Sequence, residues 1–157
     1  MKYIQTDGGR ANAGYKGSTG DCVIRAIAVA TSKDYKDVYN DIFESQKLYA
    51  ETHNNKTSRG INKYGASPRR GVFKPVFRKY LEDMGWKYVS GNRTLDCDDF
   101  KNGTFICSVR KHMTVVKEGT LYDSYDCQMT SGILNFEGEY IPPKVRTAFH
   151  HYVKVGN

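Results

Sequence analysis

The pattern of this chain changes period once, at Gly85. Before it, apolar residues recur at helical spacing; after it, short alternating or β-rich runs succeed one another. Helices first and strands second predict an α+β domain, with N-terminal helices packed on a C-terminal antiparallel sheet. The run from about Cys22 to Thr31 is apolar nearly all round and predicts a central buried helix. Ser32 is placed to cap a second helix from about Tyr35 to Glu51, where Val38, Ile42, Ser45 and Tyr49 recur on one face. A third helix is expected from about Val72 to Met84, with Pro75 tolerated in its first turn and Gly85 at its end. Strands are expected at Trp86–Val89, Thr104–Val109, His112–Lys117, Thr120–Tyr125 and His151–Val155, with short pieces at Ile133-Leu134 and Glu139–Ile141. Residues 1–20 read as a Gly-rich irregular lead-in, and 52–71 as a long basic loop.

The 157 residues fit one domain, 1–157, and 39% hydrophobic with 13% aromatic residues suits a globular chain rather than a disordered one. No apolar run approaches the roughly 20 residues of a membrane span, and the first residues lack the apolar core of a signal peptide. The expectation is therefore a cytoplasmic protein with no membrane partner. The net charge is +7, and the stretch from Asn54 to Tyr80 contains Lys56, Arg59, Lys63, Arg69, Arg70, Lys74, Arg78 and Lys79 with no acidic residue. That stretch is either a solvated face or a surface that attracts an acidic protein or nucleic acid. Arg59, Lys63, Arg69 and Arg70 are its candidate partner-binding residues. Without a helix-turn-helix or RNP pattern, nucleic acid is the weaker of those two partners.

Four cysteines stand at 22, 97, 107 and 127, none in a C-x-x-C pair, so neither a metal site nor a cofactor is expected. Cys107 alternates inside a strand and reads as core. Cys97 and Cys127 lie among polar residues and read as ordinary loop thiols. Cys22 differs, because it opens an apolar helix, where unpaired N–H groups and the helix dipole favour a thiolate.

His112 begins a predicted strand whose hairpin partner carries Asp123. If Glu118-Gly119 is a two-residue turn, Lys117 pairs with Thr120 and His112 lies opposite Tyr125. Asp123 then becomes the diagonal neighbour of His112 on the same face. Asp123 is thus the expected orienting carboxylate, with Asp126 in reserve. Cys22, His112 and Asp123 together are what thiol acyl transfer needs: a nucleophile, an acid–base and a group that fixes the imidazole. The N–H of Cys22 and a side chain from Lys16, Ser18 or Thr19 are candidate oxyanion donors. Asp21 is expected to cap the helix. His53 reads as a helix-end or loop residue. His150 and His151 are adjacent on a strand, so only one of them is expected to face inward.

The segment Gly20-Asp21-Cys22-Val23-Ile24-Arg25-Ala26-Ile27-Ala28-Val29-Ala30-Thr31 resembles the nucleophile helix of papain-like cysteine peptidases. It is closest to the peptidase-like proteins of phage and plasmid genomes, and similar to bacteriocin-processing peptidase domains. Lys111 to Asp126 looks like their His-strand and Asp-strand hairpin, and Val72 to Val89 like the connecting helix and strand of the phage group. The resemblance implies a papain-like fold, a phage-encoded hydrolase in the host cytoplasm, and a protein or peptide substrate. It also implies an oxyanion-donating Gln six residues before the Cys, where this chain has Lys16. The competing expectation is a non-catalytic protein that uses the same scaffold and the basic segment to bind a host factor.

Overall fold

The apolar run behind Cys22 forms helix α1 (Cys22–Thr31) in the computed structural model, which describes residues 1–16 and 20–155. Ile24 and Ile27 are wholly buried there. The helix stops at Ser32, which takes the left-handed conformation at φ 60°, while the Thr31 hydroxyl donates back to the Ile27 carbonyl. Ser32 therefore ends α1 instead of capping the second helix, and Asp34 is the N-cap residue of α2 (Tyr35–Thr52). Val38 and Ile42 form the buried stripe of α2, as their spacing predicts.

The segment expected as a loop over 52–71 is mostly helical. It contains α3 (Lys56–Tyr64) and a short 3₁₀ turn, Pro68–Arg70. Asn55 and Ser58 start α3 with a reciprocal capping box: the Ser58 N–H donates to Asn55 Oδ1 at 3.0 Å, and the Asn55 N–H to Ser58 Oγ at 2.8 Å. Only Ile61 and Ser58 of this helix are buried, so its apolar period is too thin to read. Gly60 sits inside α3 because the Phe73 ring crosses it; a Cβ there would lie 2.9 Å from that ring. Helix α4 (Lys74–Asp83) carries Pro75 in its first turn and buries Val76, Phe77 and Leu81.

The strands of the described residues form one main sheet and one small ribbon. They are β1 (Lys2–Gln5), β2 (Trp86–Thr94), β3 (Thr104–Val109), β4 (His112–Lys117), β5 (Thr120–Asp123) and β8 (Thr147–Lys154) in a six-stranded sheet ordered β1-β5-β4-β3-β8-β2, with β6 (Ile133–Leu134) and β7 (Tyr140–Ile141) paired apart from it. The sheet is mixed, not purely antiparallel, because β1 runs parallel to β5 with Gln5 beside Asp123. The lead-in is accordingly not irregular throughout, since Lys2–Gln5 is an edge strand.

Side chains alternate across this sheet and build two cores. Ile106, Met113, Val115 and Tyr152 pack with the helices, while Phe105, Cys107, Val116, Leu121 and Ala148 pack with Leu95 and Phe100 on the opposite face. Fully burying each such large apolar side chain is worth about 1.5–3 kcal/mol.

Because β8 is central and covered on both faces, His150 and His151 are both buried, contrary to the expectation that one would face solvent. His150 lies against Tyr88, and His151 stands edge-on to Phe100 at 5.1 Å. Burial, reinforced by nearby Arg and Lys charge, pushes both imidazoles below their ordinary value. They thus take up protons less readily in the fold than in the unfolded chain, where histidine protonates below about pH 6.5. Their contribution to stability is therefore complete above about pH 6.5 and is lost as pH falls below it. The Tm is expected to drop between about pH 7 and pH 5, and His150→Gln with His151→Gln should shrink that drop. An undiminished drop in the double variant would refute this origin.

Candidate functional site

Cys22 is the first residue of α1, and the residue before it fixes where that helix begins. Asp21 is 1% exposed. Its carboxylate lies 3.2 Å from Arg10 Nε and 3.1 Å from Arg25 Nη1, and it accepts the Tyr35 hydroxyl at 2.5 Å. It makes no side-chain cap bond, so the expected capping role is not the one it has. Two guanidiniums and a phenol compete for its oxygens more effectively than the helix N–H groups do. Burial and the adjacent Asp21 push the Tyr35 phenol up, which keeps it protonated as a donor. The outcome is a helix start tied down through its flank, with the first-turn N–H groups beside Cys22 left uncapped by the Asp21 side chain.

The hairpin forms in the expected register, with Lys117 opposite Thr120 and Val115 opposite Tyr122. Glu118 and Gly119 both have positive φ, 49° and 73°, as a type I′ two-residue turn requires. His112 Nε2 donates to Asp123 Oδ2 at 2.6 Å, and the Tyr125 ring packs on the imidazole at 5.1 Å. A carboxylate can only accept, so the proton on this ring nitrogen is fixed and Nδ1 is the nitrogen left to meet a thiol. Asp123 is in turn held from several sides. Its Oδ1 accepts the Ser124 N–H at 2.7 Å, and its carbonyl accepts the Thr6 N–H at 2.8 Å and the Tyr3 hydroxyl at 3.2 Å. Those last two donors come from β1 and the residue after it, so the unexpected parallel strand fixes the backbone from which the carboxylate projects.

The sheet and the helix meet at the end of β4. Cys22 lines the same small cavity as Met113 and Asp123, so the start of α1 comes up beside the His112–Asp123 pair. The ladder between β4 and β5 runs only from Lys117 to Val115, so Met113 lies beyond it. Burial opposes ionisation of Cys22, but the bonds from His112 and Met113 and the charges of His112 and Arg25 outweigh it and hold the thiol below its ordinary value. Burial likewise opposes a charged His112, and its hydrogen bonds to Asp123, Cys127 and Cys22 overcome that and raise it. Burial opposes a charged Asp123 as well, and the bonds from His112 and then Thr114 lower it nonetheless. The three directions are mutually consistent, each favouring the charged form of its own group.

Cys127, expected to be an ordinary loop thiol, is 1% exposed and lies 3.5 Å from Asp123 Oδ2, to which its S–H donates. It is the functional neighbour that sequence reasoning missed. It falls in the turn after β5, where no period marks which way a side chain faces. Donor atoms of His112, Asp123 and Cys127 all lie within 4.8 Å of one another, close enough to suggest a metal centre. The same group holds the 2.6 Å hydrogen bond between Nε2 and Oδ2. A cavity of only about 10 Å³, lined by Thr6, Cys22, Arg25, Met113 and Asp123 among others, adjoins the group.

The remaining candidates fall elsewhere. Asp126 is exposed and accepts from the Gln128 N–H and side-chain amide at 3.1 and 2.9 Å, so it closes a turn and does not touch His112. Lys16 is exposed, and its carbonyl accepts from Arg10 and Arg69 at 3.0 and 3.1 Å. Ser18 and Thr19 lie outside the described residues. Arg59, Lys63, Arg69 and Arg70 are all exposed. His53 ends α2, with its ring stacked on Tyr49 at 3.8 Å. Cys22, Cys97, Cys107 and Cys127 are free thiols. No helix among the described residues is long and apolar enough to cross a membrane. No family model, curated protein or solved structure matches this chain.

Proposed function

We propose that this chain is a papain-like cysteine hydrolase, with Cys22 as nucleophile, His112 as acid–base and Asp123 as the orienting carboxylate. What supports the reading is the 2.6 Å hydrogen bond between His112 Nε2 and the buried Asp123 carboxylate, beside a small cavity that Cys22 also lines. In the reaction, the Cys22 thiolate attacks a substrate carbonyl carbon and a C–S bond forms. The carbonyl oxygen gains negative charge beside the uncapped N–H groups of α1. His112 gives its proton to the leaving amine or alcohol as the C–N or C–O bond breaks. The neutral imidazole then takes a proton from water, which attacks the thioester and releases the acid and the thiol. Lys16, at the position where the resemblance implies a Gln, is the candidate second oxyanion donor. The substrate is a protein or peptide, and the place of action is the cytoplasm of a phage-infected host.

A second reading is favoured by one observation, the exposure of Arg59, Lys63, Arg69 and Arg70 on a segment with no acidic residue. In that reading the chain binds a host factor and cleaves nothing. A vinyl-sulfone probe read by intact mass separates the two. A single adduct is expected on the native chain, mapped to Cys22 and lost in Cys22→Ala. Modification spread equally over Cys22 and Cys97, or none on the folded chain, would favour the binding protein.

A further inference from the structure

Residues 128–146 leave the main sheet as a β-ribbon whose apolar side chains stand open to solvent. Ile133, Leu134, Tyr140 and Ile141 are 55%, 70%, 63% and 42% exposed, and Phe136 at the tip is fully exposed. Both residues of each strand are open, so neither face of the ribbon is packed against the described residues. Yet the tip is built. Asn135 Oδ1 accepts the N–H groups of Glu137 and Glu139, each at 2.9 Å, and the Asn135 N–H donates to the Glu139 carbonyl at 2.9 Å. The ribbon base is tied by Thr130 to Lys144 and by Arg146 to Gln128. A fixed turn that holds a phenylalanine in water is preorganised for a partner, because its ordering cost is met before binding.

The same chain carries a complementary surface. A cavity of about 350 Å³ opens between the end of α3 and the start of α4, with Tyr64, Val72 and Phe73 as its apolar lining and Arg70 at its edge. Lys63 stacks over the Tyr64 ring, and Arg69 and Arg70 stand exposed beside it. The cavity is apolar and its rim is basic, while the ribbon tip is Phe136 with Glu137 and Glu139 just after it. We infer that the ribbon tip of one copy seats Phe136 in the 64–73 cavity of a second copy, with Glu137 and Glu139 facing Lys63 and Arg70. The contact we infer is reciprocal, so that each copy gives one tip and receives one in a twofold dimer; an open head-to-tail assembly in place of a dimer would overturn it. The seat borders the entry to α1, since the Arg70 carbonyl lies 3.5 Å from where a Cβ on Gly20 would be. The inference stands independently of any activity of Cys22.

The test is sedimentation of purified full-length chains. A wild-type dimer is expected, and Phe136→Ser should raise its dissociation constant at least about a hundredfold, as loss of a central aromatic anchor does. Glu137→Lys with Glu139→Lys makes tip and rim both basic, and Lys63→Glu with Arg70→Glu makes both acidic. Each double variant alone should be monomeric. Their equimolar mixture should form a heterodimer, because every tip then meets a rim of opposite charge. All these positions are exposed, so an unchanged Tm shows that loss of the dimer is not loss of the fold. A monomeric wild type overturns the inference, whether or not the ribbon holds some other protein. So does a dimer that survives Phe136→Ser, or a mixture that stays monomeric.

Discussion

Under the proposed hydrolase reading, His112→Ala is expected to lower the rate of acyl transfer by about 10²–10⁴-fold, the range a positioned acid–base contributes. The loss has two sources that one substitution removes together. In the proposed reaction the leaving group loses its proton donor, and the Cys22 thiol loses the neighbouring imidazole that lowers it. Asp123→Asn should be nearly as damaging while leaving the fold in place. An amide at 2.6 Å from Nε2 can present its N–H instead of an oxygen, which favours the wrong tautomer and withdraws the charge that supports the imidazolium. Asp126→Asn serves as the control and should leave the rate unchanged, because its carboxylate is engaged with Gln128. The check is turnover of a peptide thioester or amide by the three variants at one pH. Equal rates in His112→Ala and the native chain would remove the imidazole from the chemistry.

Asp21→Ala is expected to destabilise the chain by about 3–5 kcal/mol, the cost of breaking a buried ion pair from one side. Its carboxylate is inaccessible to water and serves Arg10, Arg25 and Tyr35 at once. Removing it leaves two guanidiniums facing each other, with the Tyr35 hydroxyl unpaired. For a chain of this size that corresponds to a fall in Tm of about 6–20 °C at roughly 2–4 °C per kcal/mol. Asp21→Asn keeps the volume and some hydrogen bonding, so its loss should be smaller. The consequence reaches the site, since Asp21 adjoins Cys22 and its partners come from the N-terminal segment, α1 and α2. Thermal unfolding of the two variants measures this directly. A Tm within about 2 °C of the native value for Asp21→Ala would mean the network carries little of the fold.

The features legible in the sequence are those that short-range rules determine. The bounds of α1 come from a ten-residue run that is apolar but for Arg25 and Thr31, and the His112–Asp123 contact comes from a two-residue turn that sets register. The features that were not legible depend on residues distant in the chain. Lys2–Gln5 has no alternation that marks it as a strand; it is one because β5 offers an open edge more than a hundred residues later. Asp21 reads as a cap from its local context, and becomes an ion-pair centre only when Arg10 and Tyr35 arrive. Helix α3 is specified by its capping box more than by its apolar face, so periodicity misses it. His150 and His151 look half-exposed by alternation, but β8 lies between β3 and β2 and both of these positions are covered, one on each face. Cys127 lies four positions beyond the last residue of β5, where strand parity no longer predicts direction. The α+β class was thus readable, while the parallel edge strand that steadies Asp123 was not.

The most direct measurement is the rate of iodoacetamide alkylation at each thiol against pH, tracked by peptide mass for the native chain and for Asp123→Asn. Cys22 is predicted to titrate below the ordinary thiol value of ~8.5, and to move upward in Asp123→Asn as the imidazolium loses its support. A Cys22 profile that coincides with that of Cys97 and ignores the Asp123 substitution would contradict the account, leaving the thiol and the imidazole as neighbours without a shared charge.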